Sequence, residues 1–328
     1  MTNEGNAIGG YFELELPPIR EALYVDAMSF QSARSALLAL LRAQKVGHVW
    51  VPLYICDAML APFRATGTRL QFYSLSNDFE IVEDIQLGEN DWVVYVNYFG
   101  ICTEAAQRVV KKYGKRVVCD HAQAFFAAPE QCLATIYSPR KFFGVPDGGL
   151  LVTHVDVESP TIFQDVTLQS VAHLIKRLSI GAEGGYADYV AAEKSFDDIE
   201  PRMMSAFAKR ILFAVDMSHV ATKRQENFNF LHSNLSPLNR LHLHFAEATC
   251  VPLCYPFLPA SSSLREHLRS RRIFTATYWP EVLARSTSGS FEAEMANKLV
   301  AIPCDQRYEK EDLQRIVDVI SRPIAELK

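Results

Sequence analysis

Between residues 35 and 153, short and continuously apolar runs alternate with stretches of helical spacing, which leaves few folds open. A strand that is apolar at every position is buried on both faces, so it belongs in a mainly parallel sheet sandwiched by helices. Runs that are wholly or mostly apolar fall at 48–51, 69–73, 92–97, 116–119, 133–137 and 150–153, the one at 69–73 interrupted by Arg69 and Gln71. Helical patterns separate them at 35–42, where Ser29 or Ser32 offers an N-cap, and at 58–65, provided Pro62 lies in the first turn. A third, at 103–113, ends on the basic pair Lys111 and Lys112. The later chain reads less regularly. The Gly181-Ala182-Glu183-Gly184-Gly185 cluster predicts a mobile loop, a candidate lid, and 203–235 reads as one long helix or two. Strands are expected at 241–245, 250–257 and 273–278, with helices at 263–270 and 309–320. Glu309, Glu311 and Asp312 open the last helix, where acids suit the positive end of its dipole. The expected organisation is a large α/β domain over residues 1–220 and a smaller α+β domain over 221–328.

Several classes are disfavoured by the totals. A net charge of −5 over 328 residues points to neither a nucleic-acid partner nor an anionic membrane surface. No apolar stretch approaches the roughly 18 residues of a spanning helix. The opening Met1-Thr2-Asn3-Glu4 has neither a basic nor an apolar leader region. Seven cysteines, odd in number and scattered through apolar runs, predict reduced thiols and a cytoplasmic location. His242, His244, Cys250 and Cys254 fit no standard zinc spacing, so no metal is expected, and packing in a small sheet is the plainer reading.

Two segments carry chemistry. In Val117-Val118-Cys119-Asp120-His121-Ala122-Gln123-Ala124 an apolar strand ends on an acid. In Ser138-Pro139-Arg140-Lys141-Phe142-Phe143-Gly144-Val145-Pro146-Asp147-Gly148-Gly149 a lysine sits in a tight, glycine-rich turn. Open α/β sheets bind ligands beyond the carboxyl ends of their strands. Asp120, the Asn97-Tyr98 pair and Tyr54 all fall at such ends. Ser32, Ala33 and Arg34 sit where a helix begins, and its free N–H groups suit a phosphate. Ser138 can add a hydroxyl, and Arg34 and Arg140 add positive charge. Taken singly, a strand-end acid is more often a cap, a lysine is usually solvated, and a serine-rich helix start is usually only a cap. Their order fits pyridoxal 5′-phosphate: Lys141 as the amine that condenses with its aldehyde, Asp120 as the acid that keeps its pyridine nitrogen protonated.

The ordered set resembles the DegT-type nucleotide-sugar aminotransferases, of the aspartate-aminotransferase fold (fold type I). Asp120-His121-Ala122-Gln123-Ala124 is similar to that family's Asp-x-Ala-Gln-Ala segment, and Lys141 with Gly148-Gly149 to its lysine and glycine turn. Ser32-Ala33-Arg34-Ser35-Ala36-Leu37 takes the place of a Ser-Gly-Thr-x-Ala-Leu phosphate loop. Ala301-Ile302-Pro303-Cys304-Asp305 resembles the closing Leu-Pro-Cys segment. The likeness spans about residues 28–320 and is loose over 155–200. It implies catalysis by Lys141 and Asp120, and cofactor contacts from Ser32, Ala33, Arg34, Tyr54, Asp120, Gln123, Ser138 and Lys141. Gln123 is implied on the ring hydroxyl. It further implies a homodimer that moves an amino group from an amino acid, glutamate by analogy, to a keto-sugar nucleotide or related polyhydroxylated ketone. Surface polysaccharide or secondary metabolite synthesis is the implied setting.

Departures from the pattern are specific. Ala33-Arg34 replaces Gly-Thr, and the serine lies three residues before the lysine instead of five. The usual ring-stacking aromatic falls near Cys56, leaving Tyr54 or Tyr98 to cover the ring. The Asn-x-Arg-Met segment that crosses the dimer reads Glu200-Pro201-Arg202-Met203. Two other readings compete: a pyridoxal phosphate enzyme acting on a different amine or amino acid, and a non-catalytic cofactor-binding member. Lys141 argues against the dehydratase branch, where histidine replaces it. Retention of Asp120, Gln123 and Lys141 together argues against a silent scaffold.

Overall fold

The computed structural model describes residues 10–20, 23–246 and 250–326, with side chains as far as Arg322. The Met1-Thr2-Asn3-Glu4 start lies outside the described residues. Nine strands are assigned among the described residues. Seven form one sheet: β1 (Met28–Phe30), β2 (His48–Pro52), β3 (Arg69–Tyr73), β4 (Trp92–Val96), β5 (Val117–His121), β6 (Ala134–Tyr137) and β7 (Gly149–Thr153). Their order is β1-β7-β6-β5-β4-β2-β3. The pairs from β3 to β6 are parallel, and β7 returns antiparallel to β6 with β1 antiparallel on its outer side.

Every residue of β4, β5 and β6 is buried, which requires cover on both faces of the sheet. Helix α1 (Ala33–Arg42) packs on β1, β6 and β7, and α3 (Thr103–Tyr113) on β4 and β5. Between them α2 (Asp57–Thr66) lies against α1. Pro62 stands inside α2, beyond the first turn where the sequence reading placed it. The helix forgoes the one bond a proline cannot donate, and packs Met59, Leu60 and Phe63 into the core.

The glycine cluster is not a loop. It lies within α4 (Leu168–Lys194), which breaks at Gly181 (φ 87°) and folds back on itself. Lys176 and Asp188, twelve positions apart, therefore meet at 2.8 Å. A Cβ at Gly185 would stand 3.0 Å from the His173 carbonyl oxygen, so glycine lets the two halves cross closely. The 203–235 pattern resolves into two helices, α5 (Ala206–Ala214) and α6 (Met217–Leu235).

Beyond α6, β8 (Cys254–Phe257) and β9 (Val300–Pro303) form an antiparallel pair. It is accompanied by α7 (Leu264–Ser270), α8 (Phe291–Lys298) and α9 (Lys310–Glu326). The strand expected at 241–245 does not form. The Asn239 side chain takes the place of a ladder, its Oδ1 accepting from the N–H groups of Leu241 and Leu258 and its amide donating to the Pro256 carbonyl. The 250–257 strand begins only at Cys254, and 273–278 makes one bridge, Ala276 to Ala301. Among the described residues no helix is long and apolar enough to cross a membrane.

Candidate active site

The carboxyl ends of the parallel strands carry the predicted chemistry. Asp120 lies within β5, one residue before its end, and Ser138 and Lys141 follow β6 directly. A short 3-10 turn from Pro139 to Lys141 sets the lysine, with the Lys141 N–H bonded to the Ser138 carbonyl (3.2 Å) and the Phe142 N–H to that of Pro139 (2.9 Å). The Lys141 side chain is exposed, and no hydrogen bond anchors its amine among the described residues. Asp120 is 6% exposed and accepts the Ala122 N–H on Oδ1 at 2.8 Å. Burial lifts its carboxyl above the usual range, while the Lys141 charge and the Ala122 N–H pull the other way. Asp120 thus feels the Lys141 charge without the two forming an ion pair among the described residues.

Gln123 is fixed from the far side. Its Oε1 accepts the Phe99 N–H at 2.7 Å, which settles the orientation of the amide. Its Nε2 is then left buried without a partner. A buried donor without an acceptor costs about 1–3 kcal/mol, so it marks a place where a ligand oxygen belongs.

Ser32 caps α1, accepting the Ser35 N–H at 3.2 Å, with the two hydroxyls 2.9 Å apart. The cap leaves the Ala33 and Arg34 N–H groups open at the positive end of the helix. This helix start sits directly on the lysine turn. The Gly148 N–H donates to the Gln31 carbonyl at 2.7 Å, and a Cβ on Gly149 would stand 2.2 Å from the Ser32 carbonyl carbon. Only glycine permits that approach, which explains why Gly148-Gly149 accompanies the lysine.

The predicted side chains do not all face this space. Tyr54 and Tyr98 are fully buried, their ring centroids 5.7 Å apart and packed with Trp279, so neither ring is open toward Lys141. The half-buried Cys56 feels both charges, its thiol raised by burial against the pull of Lys141 and Arg34. Arg34 turns its Nη1 to the Phe196 carbonyl at 3.0 Å. Arg140 stacks over the Phe196 ring at 3.9 Å and pairs with Glu193 at the end of α4. Phe196, in the short 3-10 turn Ser195–Asp197 that follows α4, thus holds both cations, and Glu193 in the last turn of α4 adds an ion pair to Arg140. Ser138 is buried, and its hydroxyl has no partner among the described residues. Asn97, by contrast, is spent on structure: its side chain bonds the Cys102 N–H and the Thr103 hydroxyl at the start of α3.

No protein-family model and no curated protein matches the sequence. Solved structures do match the fold. The sugar aminotransferase CalS13 of Micromonospora echinospora superposes with a TM-score of 0.61 at 16% identity, over 90% of this chain and 87% of that one. Helicobacter pylori PseC, an aminotransferase of pseudoaminic acid biosynthesis, gives 0.58 at 18% identity over 90% and 86%. Streptococcus pneumoniae Spr1654, described as a sugar aminotransferase and captured in its PMP form, gives 0.64 at 15% identity over 89% and 86%. At such identities the likeness establishes the architecture: this chain has the fold type I architecture of those aminotransferases, a mainly parallel seven-stranded sheet with a smaller antiparallel one.

Proposed function

We propose that this chain is a divergent member of the DegT-type aminotransferases that uses pyridoxal 5′-phosphate to move an amino group from an amino acid to a keto-sugar nucleotide or related polyhydroxylated ketone. The observation that carries the reading is the Gln123 amide: a buried, partnerless donor one residue beyond Ala122, whose N–H bonds the Asp120 carboxylate. The residues present fit the cofactor. When bound, pyridoxal phosphate supplies a carbonyl carbon that condenses with amines and a cationic ring that takes up electrons. Asp120, with one oxygen held by the Ala122 N–H, would keep a proton on the pyridine nitrogen. Gln123 Nε2 would donate to the phenolic oxygen. The Ala33 and Arg34 N–H groups and the Ser138 hydroxyl would hold the phosphate, with Arg34 adding charge. Tyr54 supports this wall from the core. Lys141 Nζ would be the amine that holds the carbonyl carbon and, when free, the base positioned to move the proton at the donor's α-carbon.

The same reading assigns residues 1–220 to holding the cofactor and 221–328 to closing over it. The proposed substrates call for no metal, nucleic acid or membrane partner; glutamate is the proposed donor by resemblance, and a sugar acceptor is in keeping with the sugar aminotransferase CalS13 among the neighbours in fold. A second copy of the chain is the proposed partner. Supporting this, α4 holds Leu168, Ile175, Leu178, Ile180 and Tyr186 exposed on its surface, an apolar set that a monomer would leave in water. The test is to load the protein with pyridoxal phosphate and add glutamate. The yellow form is expected to convert to the amine form with release of an equal amount of 2-oxoglutarate. No conversion with glutamate or any other amino acid would refute the transaminase reading.

A further inference from the structure

Arg224 is 2% exposed on α6, yet it forms no ion pair among the described residues. Asp305, whose charge it feels, is bonded instead by Arg307 Nε at 2.7 Å and Nη2 at 2.8 Å. A buried guanidinium without a counter-ion is costly, and an apolar side chain could fill the same space. What the guanidinium does there is bond four oxygens from three separate segments. Nη1 donates to the carbonyls of Pro252 (3.0 Å) and Leu253 (3.1 Å), just before β8. Nε donates to Gln306 Oε1 (3.0 Å), just after β9. Nη2 reaches the carbonyl of Phe142 (3.3 Å), the residue after Lys141, and the guanidinium lies 4.5 Å over the Phe142 ring.

Gln306 completes the clamp by donating its own Nε2 to the same Phe142 carbonyl at 3.0 Å. The Lys141 backbone is therefore bracketed. On its amino side the 3-10 turn bonds it to Ser138, and on its carboxyl side Arg224 and Gln306 hold Phe142. Since the lysine amine has no anchor of its own, where it reaches depends on where these bonds place its Cα. The bonds continue further. The Leu253 N–H donates to the Phe99 carbonyl at 2.8 Å, and the Phe99 N–H holds the Gln123 amide. One buried cation thus ties together the turn that carries Lys141 and the loop that orients Gln123.

We infer that Arg224, with Gln306, is a positioning residue that aims the Lys141 amine and the Gln123 amide into one site from beneath the small sheet. This rests on the reading of Lys141 as the reacting amine, and the test separates the two. Full-length wild type, Arg224→Lys and Gln306→Ala are labelled with trinitrobenzenesulfonate, and modification of Lys141 is measured by peptide mass spectrometry against the exposed Lys45. Lysine at 224 keeps the charge but cannot reach four acceptors in one plane. The Lys141-to-Lys45 rate ratio is expected to change about threefold or more in both variants, since small misplacements of a reacting group have large effects on rate. With pyridoxal phosphate added, kcat is expected to fall about tenfold or more with KM for the donor little changed. The double variant should lose less than the product of the two, because both donors serve one carbonyl. Gln306→Ala, at a half-buried loop position, keeps the test open should Arg224→Lys not fold. Folded variants that melt lower but keep the wild-type label ratio and kcat would reduce Arg224 to a packing role and overturn the inference. A wild type that takes up no pyridoxal phosphate would instead refute the reading of the site, while the label ratio would still judge Arg224.

Discussion

Asp120 and His121 are neighbours on one buried strand, and burial works on them in opposite directions. It lifts the Asp120 carboxyl and pushes the His121 imidazole down to about 4 from its usual 6.5. For His121 the consequence is a pH dependence with a definite sign. The folded protein keeps the ring neutral where the unfolded chain takes up a proton, so stability falls as pH drops from about 6.5 towards about 4. This single group accounts for a loss on the order of 3 kcal/mol across that window. Its ring packs edge-on to Tyr137 at 5.4 Å, a contact His121→Phe preserves. Urea unfolding near pH 7 and near pH 4.5 should show a markedly smaller acid loss in His121→Phe than in wild type; equal losses would assign the acid sensitivity elsewhere. At this scale the sequence was informative where chemistry is contiguous. Asp120 and Lys141 each stand in a short segment that carries its own meaning. The state of Gln123 was not legible, because the bond that turns its amide comes from Phe99, 24 positions away, and that of Arg224 still less, because its acceptors lie up to 82 positions off.

Among elements, the closest fit is between the lysine turn and the first helix. A methyl group on Gly149 would meet backbone atoms of Ser32 and Ala33 at 2.2–2.4 Å, and backbone cannot swing aside as a side chain can. Gly149→Ala should therefore cost about 1–3 kcal/mol of stability, as overpacking does, and should weaken pyridoxal phosphate binding by prising the helix start from the turn. Thermal unfolding and a cofactor titration measure both, and an alanine variant with wild-type values of each would remove the contact from the account. The strand and helix alternation over 35–153 was legible because the central runs β4, β5 and β6 are buried at every position, while the edge strand β3 mixes exposed and buried residues. Two features defeated the pattern. The alternation over 241–245 has the period of a strand, but Asn239 supplies side-chain bonds in place of a neighbour. The glycines at 181–185 weaken helix propensity, and their use in a close helix crossing depends on His173 and Arg177, which local sequence does not bring together.

In the whole molecule, the folded-back α4 joins the lysine-turn side to the exposed surface. Its returning half holds Arg140 through Glu193, while Leu178 in its first half is 89% exposed. With a second copy as partner, Leu178→Glu should shift the protein from dimer to monomer in sedimentation without lowering its melting temperature at high dilution. A dimer that survives unchanged would put the interface elsewhere. The larger division into a major sheet and a smaller β8–β9 sheet brings the lysine turn, the β5 acid and the small sheet to one place, and the central claim is that this place holds pyridoxal phosphate on Lys141. Reduction of the loaded protein with borohydride, followed by peptide mass spectrometry, tests it directly. The account predicts a phosphopyridoxyl mass on the peptide containing Lys141 and its loss in a folded Lys141→Ala variant. An adduct on another lysine, or none at all, would contradict it.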